Sequence, residues 1–286
     1  MDLVESRRRE PANIDKIEIE KEFKFLLDKV RRNRNLDFSH YRPQVLKRRI
    51  EHRLHLTQCA TYLDYIMLLN KDPQEYDRLI ESLTIKVSEF FRDPPVFDLL
   101  GEVIIPEVIS QKEKQGGKRI RAWSCGSALG QEAFSMAILF CENLGNRLND
   151  YDVQIIGTDI DQNALEQAAW SSYESKALGK MKPHLLYKYF TRFDDDYIVN
   201  DRVRALVTFR YHDVVSGNPM SEVDLVLCRN LLIYFERELQ EEALYNIHSA
   251  MKSDGLLILG MTETLPVPMV DYFEAIDPII RAYVKK

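Results

Sequence analysis

The sequence predicts an α/β protein, with an open and mostly parallel sheet preceded by an all-α domain. Three observations lead there. From about residue 118 onward, short apolar runs alternate with helical periodicities, the pattern of parallel strands joined by right-handed crossovers. Before that point no strand signal appears, only apolar residues at helical spacing. Between the first strand and its helix lies a turn of small residues, Cys125 to Gly130, of the kind that lets a ligand approach the backbone.

Bulk properties set the frame. The 286 residues suffice for one large domain and a small one. Hydrophobic content of 45% and charged content of 29% match a soluble globular protein. A net charge of -6 supplies no overall basic field to recruit nucleic acid. No apolar run nears the roughly 20 residues of a membrane span, and the N-terminus lacks the apolar core of a signal peptide. Cys59, Cys125, Cys141 and Cys228 are widely spaced without a C-x-x-C pair, so reduced thiols and a cytoplasmic location are expected.

Residues 1–13 are polar and expected to be loose. Over residues 14–32, Ile17, Phe23, Leu26, Leu27 and Val30 recur at the spacing of an amphipathic helix. Pro43 sits well in the first turn of a second helix, about 43–56. There Leu46, Ile50 and Leu54 form an apolar stripe flanked by Arg42, Arg49 and Arg53, while Lys47, Arg48, His52 and His55 cover much of the remainder. This surface is either an ordinary solvated face or a docking surface for an acidic partner. Nucleic acid suits it less, because no aromatics interleave with the cations. Helices at 61–69 and 76–84, separated by Lys71-Asp-Pro73, complete the all-α part.

Ser88-Glu-Phe-Phe-Arg-Asp-Pro-Pro95 reads as the hinge between an all-α domain, 14–92, and an α/β domain, 93–286. A helix over 97–109 comes next. Strands are expected at 119–124, 153–158, 207–211, 223–228 and 256–260, with a final antiparallel edge hairpin at 272–276 and 279–284. The first turn reads G-x-x-x-G, neither the dinucleotide spacing nor a phosphate loop. It is either the mouth of a nucleotide-type pocket or only a tight connection. Asp159 and Asp161 close the second strand; Asp159 is assigned to ribose hydroxyls and Asp161 to capping the helix at 163–170. Residues 187–199 are expected as extra strand and turn material. The fourth strand delivers Arg229, Asn230 and Tyr234 at its carboxyl end, where open α/β sheets bind ligands.

Four stretches together resemble the CheR-type chemotaxis receptor glutamate methyltransferases: Thr84-Ile-Lys-Val-Ser-Glu-Phe-Phe-Arg92, Trp123-Ser-Cys-Gly-Ser-Ala-Leu-Gly-Gln-Glu132, Thr158-Asp-Ile-Asp161 and Cys228-Arg-Asn-Leu-Leu-Ile-Tyr-Phe235. The resemblance covers nearly the whole chain. It implies a Rossmann-like S-adenosylmethionine-dependent methyltransferase sheet, an all-α N-terminal domain and a small antiparallel β-subdomain inserted at 186–205. It further implies that Lys86, Ser88, Arg92, Glu132, Asp159, Asp213, Val214, Arg229 and Asn230 contact the cofactor, with Arg92 and Tyr234 nearest the methyl group. Arg48, Arg49 and Arg53 would dock on the acidic cytoplasmic methylation helices of a receptor, and S-adenosylhomocysteine would be the product. Lys86 stands where the family usually has Asn, Ser88 where it has Thr, and Gln131 where it has Glu. The 193–204 stretch has no glycine, so a version independent of a receptor's C-terminal pentapeptide is expected. The alternative is a non-catalytic S-adenosylmethionine or S-adenosylhomocysteine-binding module that acts by docking to a partner. A small-molecule or RNA methyltransferase is a further rival, with acidity against RNA. A nicotinamide-dependent oxidoreductase has the wrong glycine spacing.

Overall fold

The computed structural model describes residues 11–84 and 88–286, with side chains from Lys16 onward. It separates into two compact units, Met1–Ile85 and Lys86–Lys286. The hinge segment from Ser88 therefore belongs to the second unit, ahead of the boundary expected at Arg92.

The first unit contains α1 (Pro11–Arg34), α2 (Pro43–Thr57), α3 (Tyr62–Lys71) and α4 (Gln74–Leu83). Its core takes Phe23, Leu26 and Val30 from α1, Leu46 and Ile50 from α2, Tyr65 and Leu69 from α3 and Leu79 from α4. A capping box starts α3: the Thr61 hydroxyl accepts from Asp64 N while the Asp64 carboxylate accepts from Thr61 N. Expectation and structure part at Arg53. It lies one turn beyond Ile50, on the core side of α2. Its guanidinium donates to the buried Glu75 carboxylate at 2.6, 2.8 and 2.9 Å, and the Tyr65 hydroxyl donates to the same carboxylate at 2.6 Å. Arg53 thus neutralises a core acid. Arg48 is exposed, Arg49 half-buried, and exposed His52 and His55 extend the outer face.

The second unit opens with α5 (Pro94–Leu99), a π-helical turn (Leu100–Ile104) and α6 (Ile105–Lys114). The sequence read residues 97–109 as one plain helix. Pro106 has no N–H to offer its own turn, and the chain meets it with i→i+5 bonding, Ile105 N donating to Leu100 O. Then follow β1 (Arg119–Cys125), α7 (Gln131–Leu144), β2 (Asp152–Asp159), α8 (Gln162–Trp170), β3 (Ser172–Glu174), α9 (Pro183–Tyr189), β4 (Phe190–Phe193), β5 (Asp196–Val199), α10 (Asp201–Arg204), β6 (Val207–Tyr211), β7 (Val223–Cys228), α11 (Arg237–Ala250), β8 (Met251–Leu259), β9 (Phe273–Asp277) and β10 (Ala282–Lys285).

Seven strands form one sheet in the order β6-β2-β1-β7-β8-β10-β9, with β10 antiparallel to both β8 and β9. Strand order reverses between β1 and β7, where Ser124 pairs with Gly157 of β2 on one side and Leu227 of β7 on the other. Such a switch point leaves a crevice at the carboxyl ends of the strands. Every residue of β7 is buried, as a strand covered on both faces requires. A second, antiparallel sheet has the order β3-β5-β4. It takes its first strand from Ser172–Glu174, before the 186–205 stretch expected from the sequence. The beginning of that stretch is helical: Pro183 starts α9, and strand geometry begins only at Phe190. Among the described residues no helix is long and apolar enough to cross a membrane, and no group of three or more His, Cys, Asp or Glu is placed to hold a metal ion.

Candidate active site

At the switch point the carboxyl ends of β1 and β7 are joined by one buried cation. The Arg229 side chain is 1% exposed. Its Nη1 donates to Glu132 Oε2 at 3.2 Å; its Nη2 donates to Asp93 Oδ2 at 2.7 Å and to the Arg92 carbonyl at 3.0 Å. Its guanidinium carbon lies 5.3 Å from the Phe97 ring centre. Glu132, in the first turn of α7, also accepts from Ser124 Oγ of β1 at 2.8 Å. Arg229 and Glu132 thus meet side chain to side chain, while Arg92, 137 positions before Arg229, is reached there only through its backbone carbonyl.

The segment that presents Arg92 is held in costly backbone geometry. Phe91 and Asp93 have φ of 53° and 59°, a left-handed region that costs an L-residue roughly 1–2 kcal/mol. Packing holds it there. Phe90 makes edge contacts with Tyr173 and Phe190 at 4.8 and 5.1 Å, Phe91 packs on Phe97, and Phe91 N donates to Ser135 Oγ. Ser88 and Arg92 line a cleft of about 650 Å³, together with Leu129, Gln131, Tyr173 and Asp196. Gln131 is 2% exposed, and its Oε1 is buried without a partner among the described residues.

The turn after β1 is fastened from β2. Gly126 N and Ser127 N donate to the Thr158 carbonyl, and Ala128 N donates to Asp159 Oδ2 at 2.8 Å. Asp159 Oδ1 accepts from Asp161 N at 3.0 Å, while Asp161 caps α8 through Ala164 N. Gly130 enters α7 at φ 86°, where a Cβ would lie 2.6 Å from the Phe209 ring; only glycine combines that angle with that approach. Tyr173 of the small sheet donates its hydroxyl to the Leu129 carbonyl at 2.7 Å.

The remaining expected residues lie at strand ends. His212 N donates to the Asp159 carbonyl, placing Asp213 just beyond β6. The Asp213 carboxylate accepts from Val215 N and Ser216 Oγ, and the Val214 carbonyl accepts from Asn246. Asn230 follows Arg229 at φ 58°, and Tyr234 closes a short 3₁₀ turn, Leu232–Tyr234. Lys86 lies outside the described residues. Sequence reasoning missed Asp93, Ser124 and Glu263. The first two sat inside quoted motifs without a chemical signal of their own. Glu263 stands in an unremarkable loop, yet it is 3% exposed and accepts from Asn230 N, Ile233 N and Gly260 N.

Burial dominates the electrostatics. It raises the Glu132 carboxyl above the ordinary carboxylate value despite the lowering pull of Arg229 and Ser124. It raises Asp159 likewise, against the backbone donors of Asp161 and Ala128. Carboxylates raised in this way favour a ligand that brings hydrogen-bond donors or positive charge.

Comparison with known proteins agrees with this architecture. Residues 86–279 match the family described as CheR methyltransferase, SAM binding domain, and residues 21–84 match CheR methyltransferase, all-alpha domain. A chemotaxis protein methyltransferase of Listeria innocua is 30% identical over 255 residues, 89% of this chain and 94% of that protein. Its counterpart in Listeria monocytogenes is 29% identical with the same coverage. An uncharacterised 104.1 kDa protein of Rhodobacter capsulatus is 33% identical over 85% of this chain, which spans only 25% of that protein. The buried Arg229–Glu132 pair at the switch point of a doubly wound sheet therefore sits in the S-adenosylmethionine-binding domain of a chain that belongs to the CheR methyltransferase family.

Proposed function

We propose that this chain transfers the methyl group of S-adenosylmethionine to glutamate side chains of cytoplasmic chemoreceptor helices, giving methyl esters. The observation that carries the reading is Arg229, which ties Glu132 at the sheet's switch point to the backbone that presents Arg92. The residues suit the cofactor. Glu132 and Asp159 are acidic groups held above their usual pKa by burial. Ser127 Oγ and Gln131 Oε1 are buried beside the turn, without partners among the described residues. Glu132, Asp159, Asp213 and Asn230 would hold the cofactor, with Ser88, Val214 and the backbone around them, and Lys86 follows by family resemblance. When bound, S-adenosylmethionine supplies a methyl group on a sulfonium.

The protein's own task is then positional. A glutamate nucleophile is already ionised at neutral pH, so no general base is required. Arg92, on the cleft wall, orients the incoming carboxylate, and Tyr234 donates beside the transfer line. Holding the reacting atoms in a near-attack line is the main source of rate. An overly strong salt bridge would favour the ground state instead. The exposed face of α2, with Arg48, His52 and His55, docks the acidic receptor helix; Arg49 supports it at the edge, and Arg53 is left to the core. Recognition is expected to be independent of a receptor C-terminal pentapeptide.

The test uses tritiated methyl donor and the cytoplasmic helices of a chemoreceptor. Label released as methanol by base marks carboxyl esters. Arg48→Glu is expected to raise KM for the helices about tenfold, the effect of losing and reversing one rim charge, while cofactor binding is unchanged. Cofactor binding with no base-labile label would replace this reading with a non-catalytic binding module.

A pH series gives a second check. Because burial raises Glu132 and Asp159, the folded chain keeps protons there that the unfolded chain has already released. Between the ordinary carboxylate value and the raised ones, the free protein therefore loses stability as pH rises. Cofactor donors need the ionised form, so affinity for S-adenosylhomocysteine rises through the same window. Calorimetry and thermal melting should show these opposite slopes, and Glu132→Gln should lessen both, leaving the share that Asp159 contributes. Slopes of the same sign would contradict the assignment.

A further inference from the structure

We infer that Glu263 is a positioning residue for the methyl-transfer reaction, clasping the loop after β7 so that Asn230 and the Tyr234 turn are set independently. This rests on the function proposed above. The loop after β8 carries Gly260-Met-Thr-Glu263, and Glu263 N turns back onto the Gly260 carbonyl at 2.8 Å. The side chain, 3% exposed, then crosses to the neighbouring loop. Its Oε2 accepts from Gly260 N at 2.7 Å and Asn230 N at 2.9 Å; its Oε1 accepts from Ile233 N at 3.2 Å.

A carboxylate is acceptor-only, and three inward N–H groups offset the burial of its charge. The two oxygens do different work. Oε2 fixes Asn230, whose φ of 58° a non-glycine residue adopts only when its surroundings impose it. Oε1 fixes Ile233, the middle of the 3₁₀ turn that ends in Tyr234. Close approach is built in: a Cβ on Gly260 would lie 2.6 Å from Glu263 Oε2 and 2.9 Å from Asn230 N. Neither the cofactor nor a substrate needs to touch Glu263 for this role.

The division between the oxygens makes the inference testable with two variants. In Glu263→Gln the amide oxygen can keep the Oε2 position and both bonds there, while its NH₂ opposes Ile233 N–H. Loss of one buried hydrogen bond, with a donor left facing a donor, corresponds to about tenfold. We therefore expect Glu263→Gln to bind S-adenosylhomocysteine within about twofold of wild type and to lose about tenfold in kcat. Glu263→Ala should weaken cofactor binding as well, by about tenfold or more. Amide hydrogen exchange follows both tethers directly: Ile233 loses protection in both variants, Asn230 only in Glu263→Ala. The inference is overturned if Glu263→Gln keeps wild-type kcat, or if both variants lose affinity and rate in step with melting temperature. If wild type itself modifies no receptor helix, the functional reading fails, while the exchange pattern and cofactor affinities still decide the clasp.

Discussion

Replacing Arg229 by methionine is expected to abolish detectable binding of S-adenosylhomocysteine and to destabilise the α/β unit by about 3 kcal/mol, the low end for breaking a buried ion pair. Methionine keeps most of the side chain's volume, so the loss isolates the charge. Without the guanidinium, Glu132 retains, among the described residues, only the Ser124 hydroxyl, at 13% side-chain exposure. Its carboxyl, already raised by burial, would rise further without the lowering pull of Arg229, which limits the cost. Asp93, 31% exposed, can rehydrate. The Arg92 carbonyl loses its donor, and the hinge loses its tie to β7. At about 2–4 °C per kcal/mol for a unit of this size, melting should fall by roughly 6–12 °C. Wild-type melting and affinity together would show that the pair neither supports the fold nor shapes the pocket.

Much of the sheet was legible because burial writes itself into composition. β7 was expected at 223–228 and is found at Val223–Cys228, where every position must be apolar or neutralised. β1 exceeds its expected end by one residue, Cys125. Asp161 caps α8 as its position predicts. What escaped was set by partners remote in sequence. Arg53 looks identical to its neighbours on a basic helix until Glu75 is placed beneath it. β3 is three residues long, too short for alternation to register. The residues near Tyr187 carry a mixed aromatic pattern, and Pro183 decides for helix because its fixed φ suits a first helical turn. Glu263 carried no motif, and only its three backbone donors reveal it. The candidate site was half-visible for the same reason: motifs marked Arg92, Glu132 and Arg229 separately, while the geometry that joins them is tertiary.

The second large effect is expected from Arg92→Ala, and it should be kinetic. The backbone around Arg92 is anchored by groups other than its side chain: the Arg229 bond to its carbonyl, the Asp93 ion pair, and the Phe90 and Phe91 ring contacts. Those anchors survive the substitution. At a half-buried site flanked by such anchors, the stability change should stay within about 1 kcal/mol. Methyl transfer, in contrast, should fall by about 10²–10³, the usual effect of removing one preorganised donor where charge is redistributed. Arg92→Lys restores charge without the planar fork and should recover only part of the rate. Single-turnover transfer at saturating cofactor separates the cases. A loss in rate with near-normal S-adenosylhomocysteine affinity places Arg92 on the substrate carboxylate. An equal loss in affinity would move its role to the cofactor. Wild-type turnover would remove it from the reaction.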